Sequence, residues 1–279
     1  MIPLSVPNLK GNELKYVTQA LKEGWVSTGG DFIKKFEGHI GDYLKVEQSV
    51  AVQSGTAGLH LSLILSGVTS SNEVIVPTLT FIAAVNPVKY LGAEPVFMDC
   101  DDSLTIDVEK LESFCQENCY VTDDGLVNKK TKKIIKAIIV VHVFGNMANM
   151  VKIMEIADKY KLIVIEDATE ALGTYYTKGK YKGSFAGTIG DFGVYSFNGN
   201  KIITTGGGGM LIAKDKSLAD RAKYLSTQAK DDPLYYVHQD IGYNYRMTNL
   251  QAAMGVAQLE QLEHFIQTKK ITMKCTRKK

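Results

Sequence analysis

Short apolar runs alternate with amphipathic stretches along most of this 279-residue chain. The runs at 73–77, 134–143 and 162–167 have the length of buried strands, and the stretches at 14–21 and 150–160 repeat apolar residues at helical spacing. Strands that alternate with helices form a mostly parallel sheet with helices on its faces. A chain of this length buries a sizeable core in one large domain without disulfides or metals. The sequence therefore predicts an α/β fold.

Local signals refine this outline in four places. A helix over 81–91 is expected to bend at its proline, and Thr105 is expected to cap the next helix. The stretch 120–130 predicts a hairpin insertion around an Asp-Gly turn. The last helical pattern covers 249–266.

Composition and cysteine usage exclude several classes of protein. Hydrophobic residues make up 45% of the chain and charged residues 22%, which is ordinary for a globular protein. No apolar run approaches the ~18 residues that a membrane helix needs, and the N-terminus lacks a signal-peptide pattern. The four cysteines are too few for a disulfide framework, and Cys115 and Cys119 lack two further ligands for zinc. We therefore expect a cytoplasmic protein with reduced thiols and no metal.

The formal net charge of +2 is unevenly distributed. Residues 269–279 contain six basic residues and no acidic one, so the rest of the chain is mildly acidic. Such a body lacks the basic patch that binds nucleic acid. The basic end is a candidate interaction arm, but a solvated, disordered end is the expectation for a terminal charge run.

Two predicted strands end in residues that can hold a phosphate and a cationic ring. Ser54, Gly55 and Thr56 lie between a strand and a helix, where glycine allows close approach and free N–H groups attract a phosphate. The same residue types are common in tight turns and helix caps. Asp167 ends another strand, where an acid can bind a metal, a ribose or a ring nitrogen, or cap a helix. Because ligands bind beyond the carboxyl ends of parallel strands, we expect these groups to share one crevice.

Lys201 lies in a loop rich in glycine and threonine that follows a third strand (SFNGNKIITTGGGG, 196–209). Its nearest acidic neighbour along the chain is Asp191, and two isoleucines follow it. A lysine in an apolar pocket can act as a nucleophile, although most lysines are solvated surface charges. The four glycines precede a strand rather than a helix, which excludes a dinucleotide-binding fingerprint. A phosphate cradle, a strand-end acid and a reactive lysine together indicate pyridoxal phosphate (PLP) chemistry.

Seven longer segments resemble the DegT/DnrJ/StrS family of sugar aminotransferases, from about residue 2 to residue 265. They are GWVSTGG (24–30), SGTAGLHLSL (54–63), PTLTFIAAVNPV (77–88), VVHVFGN (140–146), IEDATEALG (165–173), GDFGVYSFNGNKIITTGGGG (190–209) and GYNYRMTNLQAAMGVAQLEQLE (242–263). The resemblance implies the large domain of a PLP-dependent transferase of fold type I over residues 1–266. Its sheet would be mostly parallel and seven-stranded, and the protein would be a homodimer with shared active sites.

The resemblance also implies a role for each candidate residue. Lys201 would form the Schiff base with PLP, and Asp167 would pair with the pyridine nitrogen. Phe81 would stack on the ring, although core packing is the alternative for a lone phenylalanine. The implied phosphate ligands are Gly55, Thr56 and Ser196. Glu170 would lie near the phenolic oxygen of the cofactor, at a position where most members carry His or Gln. Asn244 would reach the phosphate bound in a second subunit.

The chain departs from the family pattern in two places. Many relatives carry GEGG where this chain has Gly206–Gly209. This segment most resembles the branch that aminates UDP-linked 4-keto-6-deoxy-N-acetylhexosamines, on the way to bacillosamine or legionaminic acid. Family members also continue into a small C-terminal domain, whereas residues 267–279 form a basic tail without the family's pattern.

These observations predict transfer of an amino group, with glutamate as the expected donor, to a 4-keto-6-deoxy nucleotide sugar. Two alternatives stay open. The chain could be an inactive, truncated remnant of the same fold, because the small domain is missing. It could also be a non-enzymatic α/β module that binds a phosphorylated ligand, but that reading leaves Lys201 and Asp167 without a role.

Overall fold

The computed structural model describes residues 6–232 and 234–276, and a nine-stranded mixed sheet forms its centre. The strands are β1 (Ser49–Val52), β2 (Asn72–Pro77), β3 (Glu94–Met98), β4 (Cys119–Thr122), β5 (Gly125–Asn128), β6 (Ile134–Val141), β7 (Ile163–Asp167), β8 (Phe192–Ser196) and β9 (Gly209–Ala213). The helices are α1 (Glu13–Lys22), α2 (Asp31–Leu44), α3 (Gly55–Leu65), α4 (Asn86–Tyr90), α5 (Val108–Glu117), α6 (Met150–Tyr160), α7 (Lys216–Ser226), α8 (Asn249–Leu259) and α9 (Leu262–Thr276).

Seven of the strands follow one another across the sheet in the order β1-β9-β8-β7-β6-β2-β3. From β8 to β3 every neighbouring pair is parallel, whereas β9 is antiparallel to both β1 and β8. Two reversals cancel, so β1 points in the same direction as β8. The predicted α/β fold with a mostly parallel seven-stranded path is confirmed. The predicted hairpin is also present, as β4 and β5, and β5 pairs with β6.

Along each strand, successive apolar side chains point to opposite faces, so apolar residues cover both faces of the sheet. On one face they pack against α3, α4 and α7, with Ile165 of β7 in this cluster. On the other face one cluster packs against α2 and α8, and another, which includes Val164, packs against α5 and α6. Both faces are therefore buried, and a ligand has access to the sheet at the strand ends.

Four local expectations from the sequence are wrong. The proline at 87 does not bend a long helix, because a 3₁₀ turn (Ile82–Ala84) precedes α4 and the proline lies in the first turn of α4, where its missing N–H is tolerated. Asp107, not Thr105, caps α5, because its carboxylate accepts the N–H groups of the first turn.

The last helical pattern divides into α8 and α9, because the chain tightens at Gln261, whose N–H bonds the carbonyl of Gln258. The basic end that begins at residue 269, expected to be disordered, continues α9 as far as Thr276. Positions 277–279 lie outside the described residues. Across the described part of the chain, none of the helices combines the length and the hydropathy of a membrane span.

Candidate active site

A cavity of about 620 Å³ opens where the parallel strands end. The segments after β1, β2, β6, β7 and β8 form its walls, because the carboxyl ends of these strands meet at one edge of the sheet. Seven of the eight residues singled out in the sequence line this cavity: Gly55, Thr56, Phe81, Asp167, Glu170, Ser196 and Lys201. The structure therefore brings the three strand-end motifs together, while the roles of their residues stay predictions.

The N-terminus of α3 forms one wall of the cavity. The Ser54 hydroxyl caps this helix by accepting the N–H of Ala57 at 3.1 Å. The first N–H groups of a helix have no partner within the helix, so those of Gly55 and Thr56 are available to an anion. A Cβ at Gly55 would lie 3.0 Å from Cγ2 of Thr169 and 3.1 Å from Cβ of Ser196. A side chain at position 55 would therefore push Thr169 and Ser196 apart by a few tenths of an ångström.

Asp167 is buried at the end of β7, and its carboxylate accepts the N–H of Thr169 at 3.1 Å. Burial raises the pKa of the Asp167 carboxyl, and the Thr169 hydrogen bonds and the charge of Lys201 oppose that rise. A buried carboxylate of this kind is stabilised by a cationic partner in the cavity.

Lys201 and Glu170 form an ion pair across the cavity, with Nζ 3.3 Å from Oε1. The lysine side chain is only 17% exposed. The other carboxylate oxygen of Glu170 accepts the N–H of Phe144, which has a positive φ of 54°. The sequence places Lys201 far from any acid along the chain, but the fold supplies this carboxylate from the end of β7. The prediction that Glu170 and Lys201 share one site is compatible with this ion pair.

Two aromatic side chains extend into the opening of the cavity. Phe81 is 77% exposed and Phe144 is 78% exposed, although large aromatics are usually buried. The exposure of Phe81 excludes the core-packing alternative. It leaves a ring face available to a flat ligand.

The sequence did not predict one buried pair, His142 and Glu166, of which His142 lines the cavity. The Nε2 of His142, at the end of β6, lies 2.8 Å from Oε2 of Glu166, and both side chains are fully buried. Because Nδ1 of His142 accepts the N–H of Ala148, the hydrogen-bond network assigns the proton to Nε2, which donates to the carboxylate. His142 lies within the matched segment VVHVFGN, and its position at a strand end was the available signal.

Asn244 is exposed and does not line the cavity. Its neighbours Tyr243 and Tyr245 stack at 5.0 Å and pack against His60 of α3. The hydroxyl of Tyr245 also lies 3.1 Å from Nδ1 of His60. These rings fix the segment that carries Asn244 against the same helix that begins at Gly55.

Comparison with known proteins matches residues 7–279 to the DegT/DnrJ/EryC1/StrS aminotransferase family. The chain belongs to this family. Aminotransferases of the DegT/DnrJ/EryC1/StrS family depend on PLP. A GDP-perosamine synthase from Escherichia coli O157:H7 is 43% identical over 269 residues, which cover 96% of this chain and 68% of the relative.

Solved structures of family members share this fold. A family member from Brucella abortus has a TM-score of 0.80 and 32% identity, covering 91% of this chain and 64% of that protein. Spr1654 from Streptococcus pneumoniae, in its PMP form, has a TM-score of 0.85 and 25% identity, covering 98% of this chain and 71% of that protein. This chain thus spans about two thirds of the length of the relatives that it matches.

Proposed function

We propose that this chain is a PLP-dependent aminotransferase that transfers an amino group to a keto group of a nucleotide sugar. One observation carries the proposal: Lys201, Asp167 and the N-terminus of α3 line one cavity at the strand ends. Names of relatives support a GDP-linked sugar, since one of them is a GDP-perosamine synthase. They give no support to the UDP-linked branch that the loop sequence suggested.

The residues present fit PLP. The close approach at Gly55, which a Cβ would fill, leaves the N–H groups of Gly55 and Thr56 and the hydroxyl of Ser196 to hold the phosphate. The Asp167 carboxylate would face the ring nitrogen and keep a proton on it. When bound, PLP supplies a ring that withdraws electrons from the substrate carbon attached to it.

Lys201 has two tasks in this proposal. Its amine would hold the cofactor covalently, and once released it would accept a proton from the substrate and return it. Glu170, 3.3 Å from Nζ, orients the amine within the cavity. Phe81 covers one face of the ring and excludes water there.

The remaining parts of the proposal concern the assembly. Glutamate is proposed as the amino donor, and a second copy of the chain is proposed to supply Asn244 to the phosphate. The exposed position of Asn244 outside its own cavity supports this arrangement. Residues 1–266 are proposed to act as the PLP-binding large domain, in the cytoplasm.

The test begins with the purified chain and added PLP. We expect a visible absorbance band and, after borohydride reduction, a mass adduct on Lys201. Lys201→Ala should abolish both, whereas Lys34→Ala, at an exposed position of α2, should leave both unchanged. Absence of the adduct from the wild-type chain would favour the phospholigand-binding module.

Turnover separates the enzyme from the inactive remnant. The PLP-loaded chain is incubated with glutamate and a GDP-linked 4-keto-6-deoxy sugar, and amino-sugar product is measured by mass spectrometry. Product that depends on Lys201 supports the proposed function. Stable PLP binding without any product would support the remnant.

A further inference from the structure

Lys201 lies in the wall between two cavities. The first is the 620 Å³ cavity at the strand ends, and the second, of about 220 Å³, lies between the N-terminal segment and α9. Among the described residues, Lys201 is the one that both linings share. A ligand in the second cavity would therefore contact the residue that we propose to be catalytic.

A buried glutamine fixes the walls of the second cavity. The Gln258 amide donates to the carbonyl of Asn8 and to Oε1 of Glu13, each at 2.7 Å, and its oxygen accepts the N–H of Thr204 at 3.2 Å. These bonds join α8 to the N-terminal segment and to the loop that carries Lys201. Because Gln258 is only 2% exposed, the bonds form away from water, where they are strong. The hydrogen bonds of Gln258 therefore fix the walls of this cavity in the folded chain.

The lining of the second cavity is basic. Lys201, His264 and Lys269 line it, and its described lining contains no acidic residue. The Thr268 hydroxyl lies beside His264, four residues further along α9.

The nearby acidic groups of the α8–α9 region are engaged elsewhere. Glu260 accepts hydrogen bonds from Asn12 and Tyr16, both at 2.7 Å. Glu263 accepts one from the hydroxyl of Tyr43 at 2.8 Å. These bonds direct both carboxylates toward α1 and α2, so they do not neutralise His264 and Lys269. The third basic residue of the lining, Lys201, is paired with Glu170.

We propose that the second cavity is a subsite for an oxyanion of a substrate, either a carboxylate of the amino donor or a phosphate of the nucleotide sugar. The inference rests on the proposed function, because that reaction brings two anionic substrates to Lys201. Ligand pockets usually measure ~300–1,000 Å³, so a smaller cavity of this size suits one group of a substrate rather than a whole molecule. Lys269 and His264 donate charge-assisted hydrogen bonds to the oxyanion and hold the substrate beside Lys201.

The experiment measures equilibrium binding of glutamate, GDP and inorganic phosphate to the chain by calorimetry at low salt. The variants are Lys269→Ala and His264→Gln, and the matched control is Lys270→Ala, which removes an adjacent exposed lysine outside the lining. Loss of one charge-assisted hydrogen bond should weaken binding about ten- to hundredfold. A loss confined to glutamate assigns the site to the donor carboxylate, and a loss for GDP and phosphate assigns it to the nucleotide.

Two results would overturn the subsite: no binding of any of the three anions to the wild-type chain, or equal losses in Lys269→Ala and Lys270→Ala. Attachment of PLP to Lys201 is measured in every variant and should not change. If PLP attaches normally but the anion effects are absent, the subsite is wrong and the proposed function stands. If PLP never attaches but Lys269→Ala still weakens anion binding, the proposed function is wrong, and the second cavity is an anion site without the assigned substrate.

Discussion

The carboxylate of Glu166 lies 2.8 Å from the imidazole of His142, and neither side chain is exposed to solvent. The same carboxylate accepts three backbone N–H groups from the loop before β8, those of Gly187, Ile189 and Gly190. One buried charge therefore ties the ends of β6 and β7 to the segment that leads into β8. Asp167, the next residue, is held at the strand end by this arrangement.

Glu166→Gln should destabilise the chain strongly. The glutamine NH₂ group is a donor and would face backbone N–H groups that now donate to the carboxylate, so some of these hydrogen bonds would be lost. Because the side chain is fully buried, solvent would not replace them. We expect the free energy of unfolding in urea to fall by about 2–4 kcal/mol. The control, Glu112→Gln, breaks a surface ion pair with Lys159 and should change it by less than about 1 kcal/mol. Equal effects of the two substitutions would contradict the assigned role of the buried pair.

Asp167→Asn should stabilise the cofactor-free chain at pH 7 and weaken PLP binding. Burial raises the pKa of the folded carboxyl, so the folded state binds that proton more tightly than the unfolded state. Stability is therefore lost as the pH rises above the unfolded pKa of ~3.9, and the neutral amide avoids this loss. We expect a higher Tm at pH 7 for the cofactor-free Asp167→Asn chain than for the wild-type chain.

The pH profile supplies the check on this prediction. The gain in Tm should disappear below pH ~3.9, where the carboxyl is protonated in both states. Asp158→Asn, at an exposed position of α6, should show neither the gain nor weaker PLP binding. A lower Tm for cofactor-free Asp167→Asn at pH 7 would show that the carboxylate itself stabilises the fold.

Gly55→Ala should weaken PLP binding without unfolding the chain. Its Cβ would lie 3.0 Å from Cγ2 of Thr169 and 3.1 Å from Cβ of Ser196, and would therefore displace Ser196, a proposed phosphate ligand. We expect at least a tenfold loss of PLP affinity in an absorbance titration, equivalent to about 1.4 kcal/mol. Gly38→Ala is the control, because nothing lies within 4 Å of its Cβ in α2, and it should raise stability by about 0.5–1 kcal/mol with no effect on PLP.

The proposed shared site predicts complementation between two inactive variants. Asn244→Ala should weaken PLP binding about ten- to hundredfold, since a phosphate would lose one donor. Mixed with Lys201→Ala, it should regain one intact site per mixed dimer, and so about half of the wild-type activity per dimer. Activity and the population of mixed dimers are measured together. Mixed dimers that stay inactive, beside an active wild-type chain, would exclude the shared site.

Local sequence patterns predicted much of the fold because each element buries its own apolar stripe. The pattern at 150–160 became α6 with the same bounds, and the Asp-Gly turn became the β4–β5 hairpin. The strand-end residues could be grouped in advance because parallel strands end at one edge. The break between α8 and α9 could not, because it depends on a tightened turn within one continuous apolar pattern.

Pairs that join different strands were beyond reach of the sequence alone. The Lys201–Glu170 and His142–Glu166 contacts require knowing that β6, β7 and β8 are neighbours. The exposure of Phe81 could not be predicted from the sequence either. Its apolar segment is typical of a protein core, but in the structure Phe81 faces the cavity.

The position of β9 between β1 and β8 has a consequence for the order of folding. β8 and β9 are neighbours in the chain, so the loop that carries Lys201 closes over a short distance. The approach of Gly55 to Ser196 instead joins segments that are more than a hundred residues apart, and contacts of such separation form slowly. We expect a refolding chain to bind PLP only after β1 has paired with β9, because that pairing brings Gly55 beside Ser196.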